Sequence, residues 1–405
     1  MMIVLPIAVL TAIGLALLWP TDSPVGSRSY YATGSTPATV EVTSTDAAAC
    51  SADAPETAAP GAGMQVCAEV TEGIGAGSTV SILVPAQFVE AIDEGTTISA
   101  VRHDAGDGGE AQFVFVDVDR SSPMIWLVLL YLLLVLAVAR WRGLGAVLGL
   151  TASVGTLVVW VIPALMLGHP PLLVTLVGVS AMLFFSVYLA HGVSIRTTTA
   201  LLGTFLGVAL AIVLALWQVK ATSLTTGGQE ADQMIGTLLP GVSLQALLVC
   251  GIVIAGLGAL NDVTITQASA VWELHAANPE MSRLMLFRRA MRIGSDHIAS
   301  TVYTLAFAYA GTALTTLIVM MTLDRSPLAL VTSSEISTEI VRTIVASIGL
   351  IAAIPLTTLI AAVLVAPRNS EEREQAAEAK REKRRARAVR SAFDGDDHEG
   401  DFGEH

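Results

Sequence analysis

The sequence predicts an all-α polytopic membrane bundle of about eight transmembrane helices, with a small extracytoplasmic β domain inserted after the first. Three observations carry this expectation. Over 405 residues, 53% are hydrophobic and only 14% charged, too few charges to cover a soluble protein of this length. Eight apolar runs approach or exceed the length needed to cross a hydrocarbon core of about 30 Å. One long stretch, residues 20–122, breaks the pattern and alternates β-prone runs with Gly, Asp and Pro.

Residues 1–19, "MMIVLPIAVLTAIGLALLW", form the first run. No basic n-region precedes it and no clear small-x-small cleavage site follows, which favours a transmembrane anchor over a cleaved signal peptide. A late-placed start codon is another reason for the missing n-region. Either way the following segment is exported. Within residues 20–122, "TDSPVGSRSYYATGSTPAT" reads as a linker, and "VEVTS", "MQVCAEV", "STVSILVPA", "TTISAV" and "QFVFVDVD" as about five strands. Cys50 and Cys67 both fall here, and outside the cytosol such a pair is expected to form a disulfide. The "DVDR" at 117–120 reads as a solvated strand end at the headgroups.

Seven further runs follow at about 123–139, 144–168, 172–190, 200–218, 242–260, 297–320 and 340–366, giving a seven-helix core over 123–366. With the N-terminus inside, Arg140, Arg142, Arg196, Arg283, Arg288, Arg289, Arg292 and the cluster "KREKRRARAVR" all fall in cytoplasmic segments. The opposite loops hold only Lys220 and Arg325, beside Glu230, Asp232, Asp324 and Glu335. Both termini are therefore expected in the cytoplasm and residues 20–122 outside it. The tail, 367–405, reads as a charged helix-prone run with a disordered acidic end. Its basic block faces headgroups at roughly 1 kcal/mol per contacting cation, or simply sets topology. The net charge of −13 reflects acids crowded into 20–122 and the tail. Nothing indicates nucleic-acid binding; the bilayer is the evident partner, and an extracytoplasmic protein is a second for the β domain.

Two apolar runs carry polar stripes. In "VSLQALLVCGIVIAGLGALND", Gly251, Ala255 and Gly258 repeat at helical spacing and predict a close-packing face, with Cys250 a small buried residue beside it. If the helix continues past Leu260, then Asp262, Thr266 and Ser269 share a face, flanked by Asn261 and Thr264. A carboxylate with aligned hydroxyls is a pattern that passes protons or coordinates a small cation; the plain alternative is a solvated acid at a helix end. The next run, "GSDHIASTVYTLAFAYAGTALTTL", starts with Ser295 or Asp296 as cap. Asp296, Ser300 and Thr304 share one face, His297 and Thr301 the next. If these helices pack together, Asp262, Asp296 and His297 form one site, with His297 its only group titrating near neutral pH. Candidate coupling residues are thus Asp262, Asn261, Thr266, Asp296 and His297.

Between these runs, "ANPEMSRLMLFRRAMRIG" predicts a separate interfacial helix, with Asn278 as cap, Pro279 in its first position and Glu280 suiting the dipole. Its Leu284, Met285, Phe287 and Met291 meet lipid while its arginines reach headgroups. Upstream, Gly203 and Gly207 in "AHGVSIRTTTALLGTFLG" are further packing candidates. Phosphate-loop, H-E-x-x-H, C-x-x-C, nucleophile-elbow and dinucleotide motifs are missing, so neither an enzyme, a cofactor nor a metal site is expected.

The layout resembles the YibE/F family of bacterial integral membrane proteins. The segments that carry the resemblance are "DVDR", "HGVSIRTTTALLGTFLGVAL", "GLGALNDVTITQASAVWEL" and "MRIGSDHIASTVYTLAFAYAGTAL". It covers most of residues 1–366 and implies an anchor, an exported domain and a multi-helix core in the bacterial cytoplasmic membrane. It assigns no chemistry to any residue. A fainter likeness links "GALNDVTITQASAVWELHAANPE" and "SDHIASTVYTLAFAYAG" to the SecF part of the SecD/SecF translocase and related RND permeases. This chain has two extra helices before the motif and lacks the acid-and-arginine signature after the Asn-Asp, so the likeness is one of bundle design. Two functions are expected from these features: a transporter or export-accessory permease coupled to a proton or cation gradient, or a non-transporting scaffold for envelope assembly.

Overall fold

A computed structural model of the protein describes residues 4–21, 35–46, 50, 63–104, 111–226, 228–239, 241–322 and 326–365. The expected tail and most of the linker after residue 20 lie outside the described residues. Two compact units divide the chain: Pro24–Arg140, and Met1–Ser23 with Trp141–His405.

The first unit holds five antiparallel strands: β1 (Ser35–Ser44), β2 (Met64–Glu72), β3 (Thr79–Val84), β4 (Thr97–His103) and β5 (Gln112–Val118), in the order β3-β2-β1-β4-β5. Alternation sets the core: Ala38, Val40 and Val42 of β1 point inward while Thr39 and Glu41 lie between them. They meet Val66, Val70, Ile82, Val84 and Ile98. The edge strands β3 and β5 come back into contact, so the sheet curls into a half-barrel. A 3₁₀ turn at Ala86–Ala91 lays Phe88 on Phe115, ring centroids 5.0 Å apart. A five-stranded, partly open barrel is also the architecture of OB-folds, a likeness of form alone. Cys50 and Cys67 are joined as a disulfide, with Cα atoms 5.3 Å apart.

"DVDR" closes this sheet and starts the next helix. The Val118 N–H (2.8 Å) and the Arg120 guanidinium (2.9 Å) donate to the Asp117 carboxylate and hold its pKa below the usual value. Asp119 accepts from the Ser121 N–H at 2.8 Å and so caps α2 (Ser121–Thr156). The unit continues into that helix as far as Arg140.

The second unit is helical. After α2 come a π turn (Leu157–Val161), α3 (Ile162–Met166), α4 (Pro171–His191), α5 (Ile195–Thr222), α6 (Gln229–Leu238) and α7 (Leu244–Ala277). Then follow α8 (Arg283–Thr312), α9 (Leu314–Thr322), α10 (Pro327–Val331) and α11 (Ser334–Val365), with α1 (Val4–Leu17) from the start of the chain. Serines set the helix starts. Ser194 forms a capping box with Thr197, Ser243 accepts from the Ala246 N–H and Ser282 from the Met285 N–H. The core is the mutual contact of α5, α7 and α11. It is tight at Gly207, where an added Cβ would stand 2.8 Å from Leu260 and 3.0 Å from Ala353. α4 packs against this core through Leu183 and Val187. α1 lies on α4 with Gly14 against Val177, and the Trp160 indole donates to the Leu15 carbonyl at 3.1 Å.

Among the described residues, five helical stretches are long and apolar enough to cross a membrane, or six if the bent pair α8 and α9 counts as one span. The expected eight runs are redistributed for three reasons. α1 is only 14 residues long, below the roughly 20 that a span needs. The runs at 123–139 and 144–168 join into one stretch, Ser121–Met166, broken at Arg140 (φ 53°, ψ −133°). The run at 297–320 is bent by 58° beside Ala313. The separate interfacial helix is also corrected. Asn278 ends α7, its N–H bonded to the Leu274 carbonyl, and α8 then runs unbroken from Arg283 to Thr312. Ser295 and Asp296 are therefore mid-helix, not caps. Nothing between 283 and 312 breaks a helix, and Gly294 is used where α8 meets Ile354 and Gln267.

Candidate functional site

α7 has two faces. The inner one carries Gly256, Leu260, Val263, Thr264, Gln267, Ala268 and Val271, all buried. At Thr264 and Gln267 this otherwise apolar face turns polar, and the neighbouring helices answer with polar groups of their own. Thr264 Oγ1 lies 2.6 Å from Thr204 Oγ1 of α5, with both residues at 0% exposure. Gln267, 2% exposed, uses its amide nitrogen twice: it donates to the Ala290 carbonyl of α8 at 2.9 Å and to Thr358 Oγ1 of α11 at 2.7 Å. One side chain thus ties three helices together.

Besides Ser347 Oγ and Thr338 Oγ1 further along α11, two oxygens next to these contacts stand without a partner among the described residues. One is Asn261 Oδ1, one turn from Thr264; the other is Thr357 Oγ1 of α11. Gly203 brings Thr357 so close to α5, since an added Cβ would meet the Thr357 hydroxyl and stand 2.8 Å from its Cβ. Leaving a buried hydroxyl or amide oxygen unbonded costs about 1–3 kcal/mol. The seam therefore offers neutral oxygens, from hydroxyls and amides, inside an apolar bundle. Such a set supplies dipoles without fixed charge and suits a monovalent cation or a chain of hydroxyl donors.

The residues singled out from sequence spacing lie elsewhere. Asp262 is exposed, on the outer face of α7 with Gly251, Ala255, Gly258, Thr266 and Ser269. Gly251 and Gly258 meet nothing within 4 Å, and Ala255 is exposed, so this small-residue stripe is not the packing face; Gly256, against Ala346, is. Gly203 and Gly207, by contrast, sit where α5 closely approaches α11, Gly203 against Thr357 and Gly207 against Ala353. α7 and α8 do pack together, but through Gln267 and Gly294. Asp296 is exposed and His297 half-buried, and among the described residues no hydrogen bond or ion pair joins either of them to Asp262. The hydroxyls of Ser300, Thr301 and Thr304 bond to carbonyls of their own helix. Of the five coupling candidates, only Asn261 reaches the seam.

Spacing missed Gln267, Thr204, Thr357 and Thr358. Gln267 left a readable signal: it is a polar residue in phase with Leu260, Thr264 and Val271, where an apolar one belongs. A charged pair was missed too. In α11, the Arg342 guanidinium donates to both carboxylate oxygens of Glu339, at 2.9 and 3.1 Å, and lies 6.0 Å from the Tyr309 ring centroid. Both side chains are about one quarter exposed.

No curated protein and no solved structure matches the chain. The family model described as YibE/F-like protein does match, over residues 127–367. That range takes in the seam and every helix contributing to it, and this chain belongs to the YibE/F-like family of membrane proteins.

Proposed function

We propose that the chain is a permease driven by a cation or proton gradient, with the seam of α5, α7 and α11 as its ion path. The observation that carries this reading is the pair of buried, unpartnered oxygens, Asn261 Oδ1 and Thr357 Oγ1, beside the Thr204–Thr264 and Gln267–Thr358 contacts. A bundle needing only to pack would be better served by apolar residues there. Asp262, one residue from Asn261 on the exposed face, draws cations toward the mouth of the path and is not a ligand. Asp296 and His297 belong to the same outer surface.

The spans number eight in this reading, both ends of the chain in the cytoplasm, with the whole 19-residue apolar run 1–19, longer than the described helix α1, crossing as the first. The 46-residue stretch Ser121–Met166 would be about 69 Å long as one helix, more than twice a hydrocarbon core of about 30 Å. The break at Arg140 leaves residues 121–139 and 141–166, each long enough to cross. Arginine loading of alternate loops supports the orientation. The Cys50–Cys67 disulfide supports an oxidising compartment for residues 20–122.

Ion flux in proteoliposomes, read with sodium- and proton-sensitive dyes, tests the path. Gln267→Leu, Thr264→Val and Thr357→Val should each abolish gradient-driven flux, while Asp262→Asn lowers the rate without abolishing it. Flux unchanged in all three seam variants would remove the seam from the mechanism; no flux in the parent protein would remove the permease reading. The compact unit Pro24–Arg140 favours a second reading, a scaffold that binds an envelope protein through its β half-barrel. Crosslinking from membranes with and without residues 20–122 separates the two, since a scaffold loses its partners on deletion.

A further inference from the structure

α1 and α4 leave an apolar groove of about 630 Å³ between them, within the roughly 300–1,000 Å³ typical of ligand sites. Its walls are Val4, Ala8 and Leu15 of α1 and Ala181, Phe184 and Tyr188 of α4. The few polar groups are already engaged. Thr11 donates to the Ile7 carbonyl at 2.8 Å, and the Tyr188 hydroxyl lies 3.3 Å from Thr198 Oγ1. The walls therefore present no free donor, and an occupant must be apolar along its length.

Length narrows the choice. From Val4 to Leu15 the helix rises about 16 Å, at 1.5 Å per residue. That is about half of a 30 Å hydrocarbon core, the depth of one leaflet. The end of the groove is equally informative. Val193 forms part of the lining, and Arg196 stands three residues further on, in the first turn of α5. Gly145, three residues past Arg142 in α2, packs against the Leu189 carbonyl near the end of α4, and Arg142 and Arg196 both lie within electrostatic reach of His191, the last residue of α4. Among the described residues, Asp262 is the one acid that reaches the same point. Two arginines against one carboxylate leave this end of the groove net cationic, a place for an anion.

We propose that the groove is a binding site for an anionic phospholipid, one acyl chain lying between α1 and α4 and the phosphate held by Arg142 and Arg196. The site is separate from the α5–α7–α11 seam and does not depend on transport. A guanidinium suits a phosphate because its planar N–H groups pair with two oxygens at once, and basic residues at the membrane surface favour anionic lipids.

The full chain, held in nanodiscs of mixed phosphatidylglycerol and phosphatidylcholine, is released into detergent, and the retained lipid is identified by native mass spectrometry. Phosphatidylglycerol should be enriched about tenfold over its share of the disc. Arg142→Gln with Arg196→Gln, at surface positions that leave the helix packing intact, should abolish the enrichment while an unselected lipid still binds. Ala12→Phe, which fills the groove from its exposed edge, should abolish retention of either lipid. Retained lipid that mirrors the disc composition in the parent protein overturns the proposal, as does retention unaffected by Ala12→Phe. A disulfide formed between two copies through Ala8→Cys and Phe185→Cys would also overturn it, by placing a second chain in the groove.

Discussion

The two faces of α7 use similar residues to opposite ends. The outer face sets Gly251, Ala255 and Gly258 above Asp262, Thr266 and Ser269; the inner face sets Gly256 and Leu260 above Thr264 and Gln267. Both alternate small with polar residues at steps of three and four. Only the inner face is covered, and there Gly256 meets Ala346 while each polar group meets one from another helix. Small residues bring helices together only where a partner is present, and polar residues cost free energy only where water is excluded. The meaning of a stripe is set by what covers it.

The comparison breaks or holds first at its glycines. Gly203→Val drives a branched side chain into Thr357 and should destabilise the bundle by about 3 kcal/mol, the upper end for overpacking. Gly258→Val, facing open space, should cost well under about 1 kcal/mol. Thermal unfolding in detergent, followed by tryptophan fluorescence, measures both, and equal losses would mean that the outer face is packed as well. Next come the amides and hydroxyls. Gln267→Leu removes two interhelical hydrogen bonds and should cost about 1–2 kcal/mol, whereas Thr266→Leu on the outer side should be near neutral. A double-mutant cycle of Thr204→Val and Thr264→Val should give a coupling of about 0.6 kcal/mol, the average for such pairs in membranes. Zero coupling would dissolve the α5–α7 link. The smallest effect is expected at Asp262, where Asn should leave the unfolding midpoint unchanged; a clear shift would show the carboxylate engaged.

Much of the architecture was legible because it rests on hydropathy. The alternating valines of β1, the uniform apolar runs and the pairing of Cys50 with Cys67 each follow from where a residue type is stable. Bends were not legible. A run such as 297–320 is apolar on both sides of Ala313, so nothing in its composition marks the 58° turn. Asn278-Pro279 carries the signals of a helix start yet ends α7, so the true start of α8 at Arg283 is not marked in the sequence. The candidate site was half legible. "NDVTITQAS" holds the α7 residues of the seam, but its one charge, Asp262, lies on the outer face. A charge is conspicuous in a sequence, whereas Gln267 stands out only once the phase of burial is known.

α7 runs 34 residues without a break, about 51 Å at 1.5 Å per residue, while a membrane needs only about 30 Å of it. The remainder emerges as a stiff extension. Its far end is clamped by Val271 against Met281, Leu286 and Ala290 on one side and Ala361 and Ala362 on the other. Val271 stands one turn past Gln267, so α8 and α11 grip α7 at two successive turns, and a displacement of either helix at this clamp reaches the Gln267 hydrogen bonds through a single turn.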